Sequence, residues 1–438
     1  MDATLEAANP KTIIRKHVKL VGNELIVDDL TYSLRFYRRI IVIGAGKASG
    51  GMGEEIEKLL GPKIAQGIVI VPDYLNPWPK GRRINYFGTS HPIPTEKTVR
   101  RTTQLVRLAE TAGKEDLTIM LLSGGASSLM ESPVSGLTLQ DQRKTADLLL
   151  KSGARIQEIN TVRKHLSRVK GGRLAEILSD THLLTLIISD VIGDELDAIG
   201  SGPTAPDLTT YKDSRQVLQK YSIWSKVPGR VRKIIERGIE GGLPETPKSG
   251  DRAFRNVQNV IIGTNRQSCE EAVRRLKRSG YAASILSTHI VGEAREAGSI
   301  LGSILTEICN NGLPRSRAVA IVCGGETTVT IIGNGRGGRN QELALAAALA
   351  IDGTENAAAG SLATDGVDGP TDAAGAIVDG TTVSRGHELG MSATDYLRNN
   401  DSYNFLKRTG NLVKTGPTGT NVNDVMIIAA VGPSVNIS

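Results

Sequence analysis

Residues 39–49, Arg-Ile-Ile-Val-Ile-Gly-Ala-Gly-Lys-Ala-Ser, join an apolar, β-branched run to a glycine-rich turn. Such a run is typical of a strand buried on both faces of a parallel sheet, and a helix is predicted to follow from about residue 49 to 60. A second apolar strand is predicted at 67–73, which completes a strand–helix–strand unit. The sequence therefore predicts an α/β fold.

The same alternation continues after this unit. Strands are predicted at 117–122 and 183–189, and helices near 95–112 and 138–152. This order favours a mostly parallel, Rossmann-like sheet with helices on both faces. The polar segment before residue 39 is predicted to be helical.

Turn-forming residues cluster at 241–251, which predicts a domain boundary there. The N-terminal domain is expected to span 1–250, and a C-terminal mixed α/β domain 251–438. In the second domain, the predicted strands and helices are 257–262, 266–279, 282–286, 293–309, 318–322, 327–332 and 340–350.

Composition and charge exclude several classes of protein. Apolar residues make up 39 % of the 438 residues and charged residues 23 %, which is typical of a globular protein. No apolar run approaches the roughly 18 residues of a membrane-spanning helix, and the N-terminus lacks a secretory signal, so a cytoplasmic location is expected. The net charge of +7 suits an anionic ligand, but an aromatic content of 3 % leaves few rings for stacking bases. We expect a small phosphorylated ligand, no nucleic acid and no membrane.

Motifs for zinc sites and serine hydrolases are missing from the sequence. The three cysteines form no CxxC pair and are predicted to be buried thiols, and the six histidines show no HxxxH or HExxH spacing. No GxSxG motif occurs.

The turn after the first strand predicts a phosphate site. Gly44 and Gly46 precede Lys47 at a helix N-terminus, where backbone N–H groups and the helix dipole attract anions. The turn is not a Walker A loop, which needs glycine at Ile41, and Ser49 stands where GxGxxG has its third glycine. We interpret Lys47 as neutralising phosphate oxygens; the alternative is a tight turn with no ligand.

A second loop and a basic segment are further candidates for anion binding. Ser123, Gly124 and Gly125 open a loop whose N–H groups and hydroxyls suit a phosphate or carboxylate, although it could be an ordinary capped loop. In the segment 160–173, one of Lys164, Lys170 and Arg173 is predicted to face an anionic ligand; the alternative is a solvated basic surface.

Several carboxylates are candidate metal ligands. Asp190 follows an apolar strand, at the carboxyl end where open α/β sheets bind ligands, and Asp194 lies close behind it. One or two carboxylates together with substrate phosphates usually hold Mg²⁺. Asp365 lies in a second acidic segment, 364–372, which also could hold a metal ion. Turn capping is the alternative for Asp190.

A glycine-rich turn in the second domain carries Arg336 and Arg339 before a predicted helix. Arginine suits a transferring phosphoryl group because its planar fork holds two oxygens at once. The alternative is a hairpin turn with solvated arginines.

Taken in order, these motifs resemble those of the type II glycerate kinases, whose C-terminal part is a MOFRL domain, here about residues 315–430. The motifs that carry the resemblance lie at 44–49, 123–128, 189–194, 337–342, 363–375 and 415–424. The resemblance covers nearly the whole chain from about residue 40.

The resemblance implies phosphorylation of D-glycerate to 2-phosphoglycerate by ATP with Mg²⁺ or another divalent cation, in an active cleft flanked by two domains. It places the catalytic lysine on Lys47 and the catalytic arginine on Arg339, with Arg336 as the alternative. Asp190 is expected to orient the glycerate hydroxyl. The expected ligand contacts are Gly44, Gly46, Ser123, Gly124, Gly125, Lys164 and Asn340, and the expected metal ligands are Asp190, Asp194 and Asp365.

Two other functions remain open at this point. An NAD(P)-dependent oxidoreductase of a small hydroxy acid would use 44–50 as its pyrophosphate loop and Asp73 on the ribose, but Lys47 and the missing third glycine count against it. A non-enzymatic sugar-phosphate-binding protein is the second. A homodimer is the assembly considered.

Overall fold

The computed structural model of this chain describes residues 1–312 and 318–431. The chain divides into an N-terminal unit, Pro10–Ile262, and a C-terminal unit that combines Met1–Asn9 with the residues from Gly263 onward. Among the described residues, no helix is both long and apolar enough to cross a membrane.

Helix α1 (Asp2–Ala8) belongs to the C-terminal unit and is followed by the whole N-terminal unit. The elements of the N-terminal unit are α2 (Pro10–His17), β1 (Val18–Val21), β2 (Glu24–Val27), β3 (Leu30–Ser33), β4 (Arg39–Ala45), α3 (Ser49–Leu60), β5 (Ile64–Pro72), β6 (Ile84–Thr89), α4 (Glu96–Ala109), β7 (Asp116–Ser123), α5 (Ala126–Leu129), α6 (Leu139–Lys151), α7 (Ile156–His165), α8 (Arg173–Ile177), β8 (His182–Ile188), α9 (Tyr211–Lys220), α10 (Gly229–Ile239) and β9 (Val257–Gly263).

The apolar run at 39–45 forms a central strand of a six-stranded sheet. The strand order is β6-β5-β4-β7-β8-β9, and the pairs from β6 through β8 are parallel. Because helices cover both faces of such a sheet, its strands are continuously apolar, and β7 is buried along its whole length. The predicted parallel α/β fold is confirmed.

The segment before β4 differs from the prediction. It is helical only as far as His17, and β1, β2 and β3 then form an antiparallel sheet of their own. Tight turns at Gly22 and Asp28, both with positive φ, reverse the chain between these strands. The short runs of alternating apolar and polar residues at 18–33 are typical of such strands. The prediction of a helical segment is wrong there.

The C-terminal unit is a mixed α/β structure. Its elements after α1 are α11 (Asn265–Arg278), β10 (Ala282–Ile290), α12 (Ala294–Asn311), β11 (Val319–Gly325), α13 (Arg339–Ala350), β12 (Ala357–Ala363), β13 (Gly375–Asp379), α14 (Thr382–Glu388), α15 (Ala393–Arg398), α16 (Ser402–Arg408), β14 (Leu412–Val413) and β15 (Asp424–Ala430). The sheet order is β10-β11-β15-β12-β13-β14, with β10 and β11 parallel and the other pairs antiparallel.

Small residues bring α12 and α13 very close together. A Cβ atom at Gly298 would lie 2.2 Å from the carbonyl oxygen of Leu343, and one at Gly302 would lie 2.5 Å from the Cβ of Ala350. Helix α13 is rich in alanine and buried on nearly every side. This close contact between the helices requires glycine at positions 298 and 302 of α12, where a side chain would collide with α13.

Two predicted strands of the second domain need correction. The segment at 257–262 is a strand, but β9 lies beside β8 in the first sheet, so the first unit extends to Ile262 rather than ending at residue 250. The segment 327–332 forms only an isolated bridge at Thr328. Ile331 and Ile332 are 78 % and 67 % exposed, so no core contact drives strand formation there.

The N-terminal unit buries an ion pair. Lys170 and Glu131 are 0 % and 4 % exposed, with Nζ 2.5 Å from Oε2. Ser167 donates a hydrogen bond of 2.7 Å to Glu131, and Lys170 donates one to the carbonyl of Met130. Burial lowers the pKa of Lys170 to about 8 although Glu131 favours its charged form. Lys170 thus has a structural role rather than the predicted contact with a ligand.

We expect Lys170→Met to lower the free energy of unfolding by about 3–5 kcal/mol, because it leaves the Glu131 carboxylate buried without its partner. Urea denaturation measures this change. Lys170→Met combined with Glu131→Leu should recover most of the loss, and Lys151→Met, which removes an exposed pair with Asp147, should cost less than about 1 kcal/mol. A loss below about 1 kcal/mol for Lys170→Met would contradict this role.

Candidate active site

Two of the predicted ligand loops lie side by side in the N-terminal unit. The chain runs outward from β4 to β5 and β6 on one side, and then continues with β7 and β8 on the other. The carboxyl ends of β4 and β7 therefore flank the point where the strand order reverses, which is where open α/β sheets bind ligands. The loops at 44–47 and 123–125 follow these two strands.

Hydrogen bonds join the two loops. The amide of Lys47 donates to the carbonyl of Gly124 at 2.8 Å, and the amide of Ala48 donates to Ser123 Oγ at 3.0 Å. The hydroxyl of Ser49, the first residue of α3, lies 3.0 Å from the same Oγ. The buried Ser123 side chain thus fixes the start of α3 instead of facing a ligand.

Glycine is required where the loops meet. Gly46 has φ 140°, and a Cβ atom there would lie 2.1 Å from Ser123 Oγ. A Cβ atom at Gly124 would lie 2.3 Å from Oδ2 of Asp190. No side chain fits at either position, so the backbones approach closely and Asp190 lies directly against the second loop. The structure thus brings together Lys47, Gly124 and Asp190, three residues that the sequence analysis named as separate candidates.

His91 also belongs to this group and was missed by the sequence analysis. A Cβ atom at Gly125 would lie 2.9 Å from His91 Nε2 and 3.5 Å from Cγ of Lys47. His91 follows β6, a strand that the sequence analysis did not predict, and its position at another strand end was the available signal.

Lys164 is held by carboxylates of its own unit. Its buried Nζ lies 2.9 Å from Oδ2 of Asp197 and 3.4 Å from Oδ1 of Asp207. These ion pairs account for its charge, so the structure does not support Lys164 as a ligand contact. Asp194 has φ 57° and lies in the turn after Asp190, where its amide donates to the carbonyl of Val191.

In the C-terminal unit, Arg339 is surrounded by carboxylates. Its Nε and Nη2 donate to the two oxygens of Asp424 at 2.5 and 2.9 Å, and Nη1 lies 3.1 Å from Oε1 of Glu326. Burial opposes ionisation, yet the hydrogen bonds that Arg339 donates to Asp424 raise the pKa of Arg339 above its ordinary value. Such a bidentate pair fixes the plane of the guanidinium group.

A carboxylate from a distant loop caps α13. Asp368 accepts hydrogen bonds from the amides of Asn340 and Gln341 at 3.1 and 2.9 Å, and from both of their side chains. The N-terminus of the helix that follows the glycine-rich turn is therefore occupied by a protein carboxylate. Asn340 is buried, with its Oδ1 bonded to Ser361, and the structure does not support it as a ligand contact.

Arg336 and Asp365 lie near this cap. Arg336 is exposed, with its guanidinium carbon 4.6 Å from the centre of the Tyr403 ring and its Nε bonded to the carbonyl of Pro370. Asp365 is partly buried, and one of its oxygens accepts the amide of Val367 at 3.1 Å. Arg336 remains the alternative to Arg339 because no carboxylate of the described residues pairs with it.

No group of three or more His, Cys, Asp or Glu side chains within residues 1–312 and 318–431 is placed to hold a metal ion. The prediction of buried thiols is confirmed for Cys269 and Cys323. Burial raises the pKa of Cys269 to about 12 and that of Cys323 to about 11, so both are protonated at neutral pH.

Asp368 makes stability depend on pH. Burial raises its pKa from 3.8 to about 6. Between these values the folded protein keeps a proton that the unfolded chain releases, so the free energy of unfolding falls as the pH rises. The difference in the free energy of unfolding between Asp368→Asn and the wild type should therefore shift in favour of the variant by about 1–2 kcal/mol from pH 5 to pH 7.5. Urea denaturation of both proteins at both pH values measures this shift.

The matched control for this measurement is Asp372→Asn in the same loop. Hydrogen bonds from Lys414 and Tyr403 lower the pKa of Asp372 to about 2, and its contribution is lost only as the pH falls below the unfolded pKa. The control should show no change between pH 5 and pH 7.5. An equal change in both variants would contradict the role of Asp368.

Comparison with known proteins identifies the family. The sequence matches the profile described as domain of unknown function DUF4147 over residues 1–236 and the MOFRL family profile over 319–424. Glycerate 2-kinase of Pyrococcus horikoshii is 44 % identical, over 97 % of this chain and 94 % of its own. A protein of Agrobacterium vitis with the provisional name hydroxypyruvate reductase is 38 % identical, over 89 % of this chain and 87 % of its own.

The same result comes from solved structures. The crystal structure of a glycerate kinase from Thermotoga maritima is similar with a TM-score of 0.86 at 41 % identity, covering 98 % of this chain and 97 % of that one. Identity and coverage of this size, together with both profiles, confirm the resemblance seen in the motifs. The chain belongs to the glycerate kinase family that carries a MOFRL domain.

Proposed function

We propose that this protein transfers the γ-phosphoryl group of ATP to the 2-hydroxyl of D-glycerate and releases 2-phosphoglycerate. Family membership carries the assignment as a glycerate kinase. The observation that carries the site is the hydrogen-bonded pair of loops at the strand-order reversal, where the amide of Lys47 bonds to Gly124 and Asp190 lies against Gly124. A cytoplasmic location and a homodimeric assembly stay predictions.

Phosphoryl transfer demands positioning and positive charge around oxygens more than covalent chemistry. Lys47 supplies a charge beside the N-terminus of α3, whose first turn contains no acidic residue. An anionic phosphate is favoured at that position by the helix dipole as well. Lys47 is therefore assigned to the transferring phosphoryl group, which gains negative charge on its oxygens during transfer.

Asp190 is assigned to the glycerate hydroxyl and to the cation. Its carboxylate lies at the carboxyl end of β8, against Gly124. One carboxylate together with phosphate oxygens fits Mg²⁺, and Asp194 and Asp365 stay as further predicted ligands. When bound, Mg²⁺ would neutralise charge on the phosphates. Asp190 would orient the hydroxyl for in-line attack.

Arg339 is the proposed second positive group, and Arg336 the alternative. In Arg339, Asp424 fixes Nε and Nη2, so the guanidinium plane is set before any ligand arrives. A preset donor costs no reorganisation during the reaction. Arg336 would bring an exposed charge instead.

The first experiment couples product formation to enolase, pyruvate kinase and lactate dehydrogenase, with D-glycerate, ATP and Mg²⁺. NADH oxidation without phosphoglycerate mutase is expected, because enolase accepts 2-phosphoglycerate directly. A signal that needs the mutase would move the phosphate to the 3-hydroxyl, and no signal from folded protein would contradict the kinase proposal.

The reductase name of the Agrobacterium relative is the reason to test a second function. Without coupling enzymes, NADH or NADPH oxidation by hydroxypyruvate would favour an oxidoreductase. We expect none, because Ser49 replaces the third glycine of a dinucleotide loop and its hydroxyl is bonded to the carbonyl of Leu121.

Lys47→Ala should lower kcat by at least about a hundredfold, since removing one donor to a developing charge typically costs that much. The coupled assay at saturating substrates measures kcat. Lys63→Ala, which removes an exposed lysine bonded to Asn23, is the matched control and should keep wild-type kcat. A folded Lys47→Ala variant within about threefold of wild type would remove Lys47 from catalysis.

A further inference from the structure

Glycerate is an anion, and its carboxylate needs a donor distinct from those assigned to the phosphoryl group. The basic segment 160–173 was predicted to supply a donor for an anionic ligand. The structure removes its candidates, because Lys164 pairs with Asp197 and Asp207 and Lys170 pairs with Glu131. Arg173 is bonded to the hydroxyl of Tyr211 and the carbonyl of Pro244.

The loop at 123–128 is the other segment predicted to bind a phosphate or carboxylate, and His91 lies beside it. A Cβ atom at Gly125 would lie 2.9 Å from Nε2 of His91 and 3.5 Å from Cγ of Lys47, so both side chains approach this glycine. Gly125 has φ 82°, a conformation that favours glycine, and the ring of His91 lies directly against the backbone of the loop.

The rest of the loop is held in place. Arg163 Nη2 donates to the carbonyl of Ser127 at 3.0 Å, and the hydroxyls of Ser127 and Ser201 are 2.7 Å apart. The ring of Tyr74 meets that of His91 edge to face, with centroids 6.2 Å apart. A fixed loop with a fixed histidine is a preorganised pair of donors.

We propose that His91 is a substrate-binding residue that donates a hydrogen bond from Nε2 to the carboxylate of glycerate, beside the backbone of Gly125. This rests on the proposed function. A carboxylate and a nucleotide phosphate share the same oxyanion chemistry, and the proposal commits to the carboxylate because Lys47 and the N-terminus of α3 already serve the phosphate.

The experiment combines calorimetric binding of D-glycerate with the coupled kinetic assay. His91→Ala should weaken D-glycerate binding and raise its KM about tenfold to a hundredfold, as expected for loss of a hydrogen bond to a charged group. The KM for ATP should stay within about twofold. His91→Gln keeps a donor close to the position of Nε2 and should restore most of the affinity, whereas His91→Asn should not.

A neutral substrate analogue tests the chemistry of recognition. In D-glyceramide an amide replaces the carboxylate, and its neutral carbonyl accepts a weaker hydrogen bond than a charged oxygen does, so His91→Ala should lose clearly less affinity for D-glyceramide than for D-glycerate. His182→Ala is the control: His182 starts β8 at the opposite edge of the sheet, bonded to Tyr37, and its loss should leave both affinities unchanged.

Each outcome decides the proposal. A rise in the KM for ATP alone would assign His91 to the nucleotide and overturn it, as would unchanged D-glycerate affinity in His91→Ala or an equal loss for glycerate and glyceramide. If the wild type does not bind D-glycerate, the proposal fails. If it binds D-glycerate without turnover, the kinase proposal fails while the calorimetric comparison still tests His91.

Discussion

The hydrogen bond from the amide of Lys47 to the carbonyl of Gly124 joins the loops that follow β4 and β7, at the carboxyl edge of the parallel sheet. It forms because neither Gly46 nor Gly124 carries a side chain, so two backbones that follow β4 and β7 can touch. Everything assigned to catalysis in the N-terminal unit depends on that contact. It sets where α3 begins, where Lys47 leaves the backbone and how closely Asp190 approaches.

The local pattern of apolar residues predicted the strands that are formed by continuous apolar runs. β4, β7 and β8 are such runs, and the polar residues that follow them were found because parallel strands end at one edge. β6 and the strands β1 to β3 escaped prediction, since they are short and only partly buried. His91 was missed because β6 was not predicted, so the position of this histidine at a strand end was not recognised.

The second limit of prediction from the sequence is that the partners of a side chain cannot be read from residue type and spacing. Lys164 and Asn340 have chemistry that suits ligands, but their carboxylate or hydroxyl partners are distant in sequence. Asp207 lies 43 residues from Lys164, and Ser361 lies 21 residues from Asn340. Residue type and spacing report what a side chain is able to bind, whereas the fold decides whether a protein group already occupies it. Some basic side chains are likewise paired with buried carboxylates, as Lys170 is with Glu131.

The cap that Asp368 places on α13 links the helix to a segment 28 residues later in the chain. A nascent α13 therefore emerges with its first amides unsatisfied, and they gain their acceptors only when that loop has been synthesised and has docked. The helix and the loop must order together, which makes the centre of the C-terminal unit a single cooperative folding step. A chain interrupted between them would lose the helix start as well as the loop.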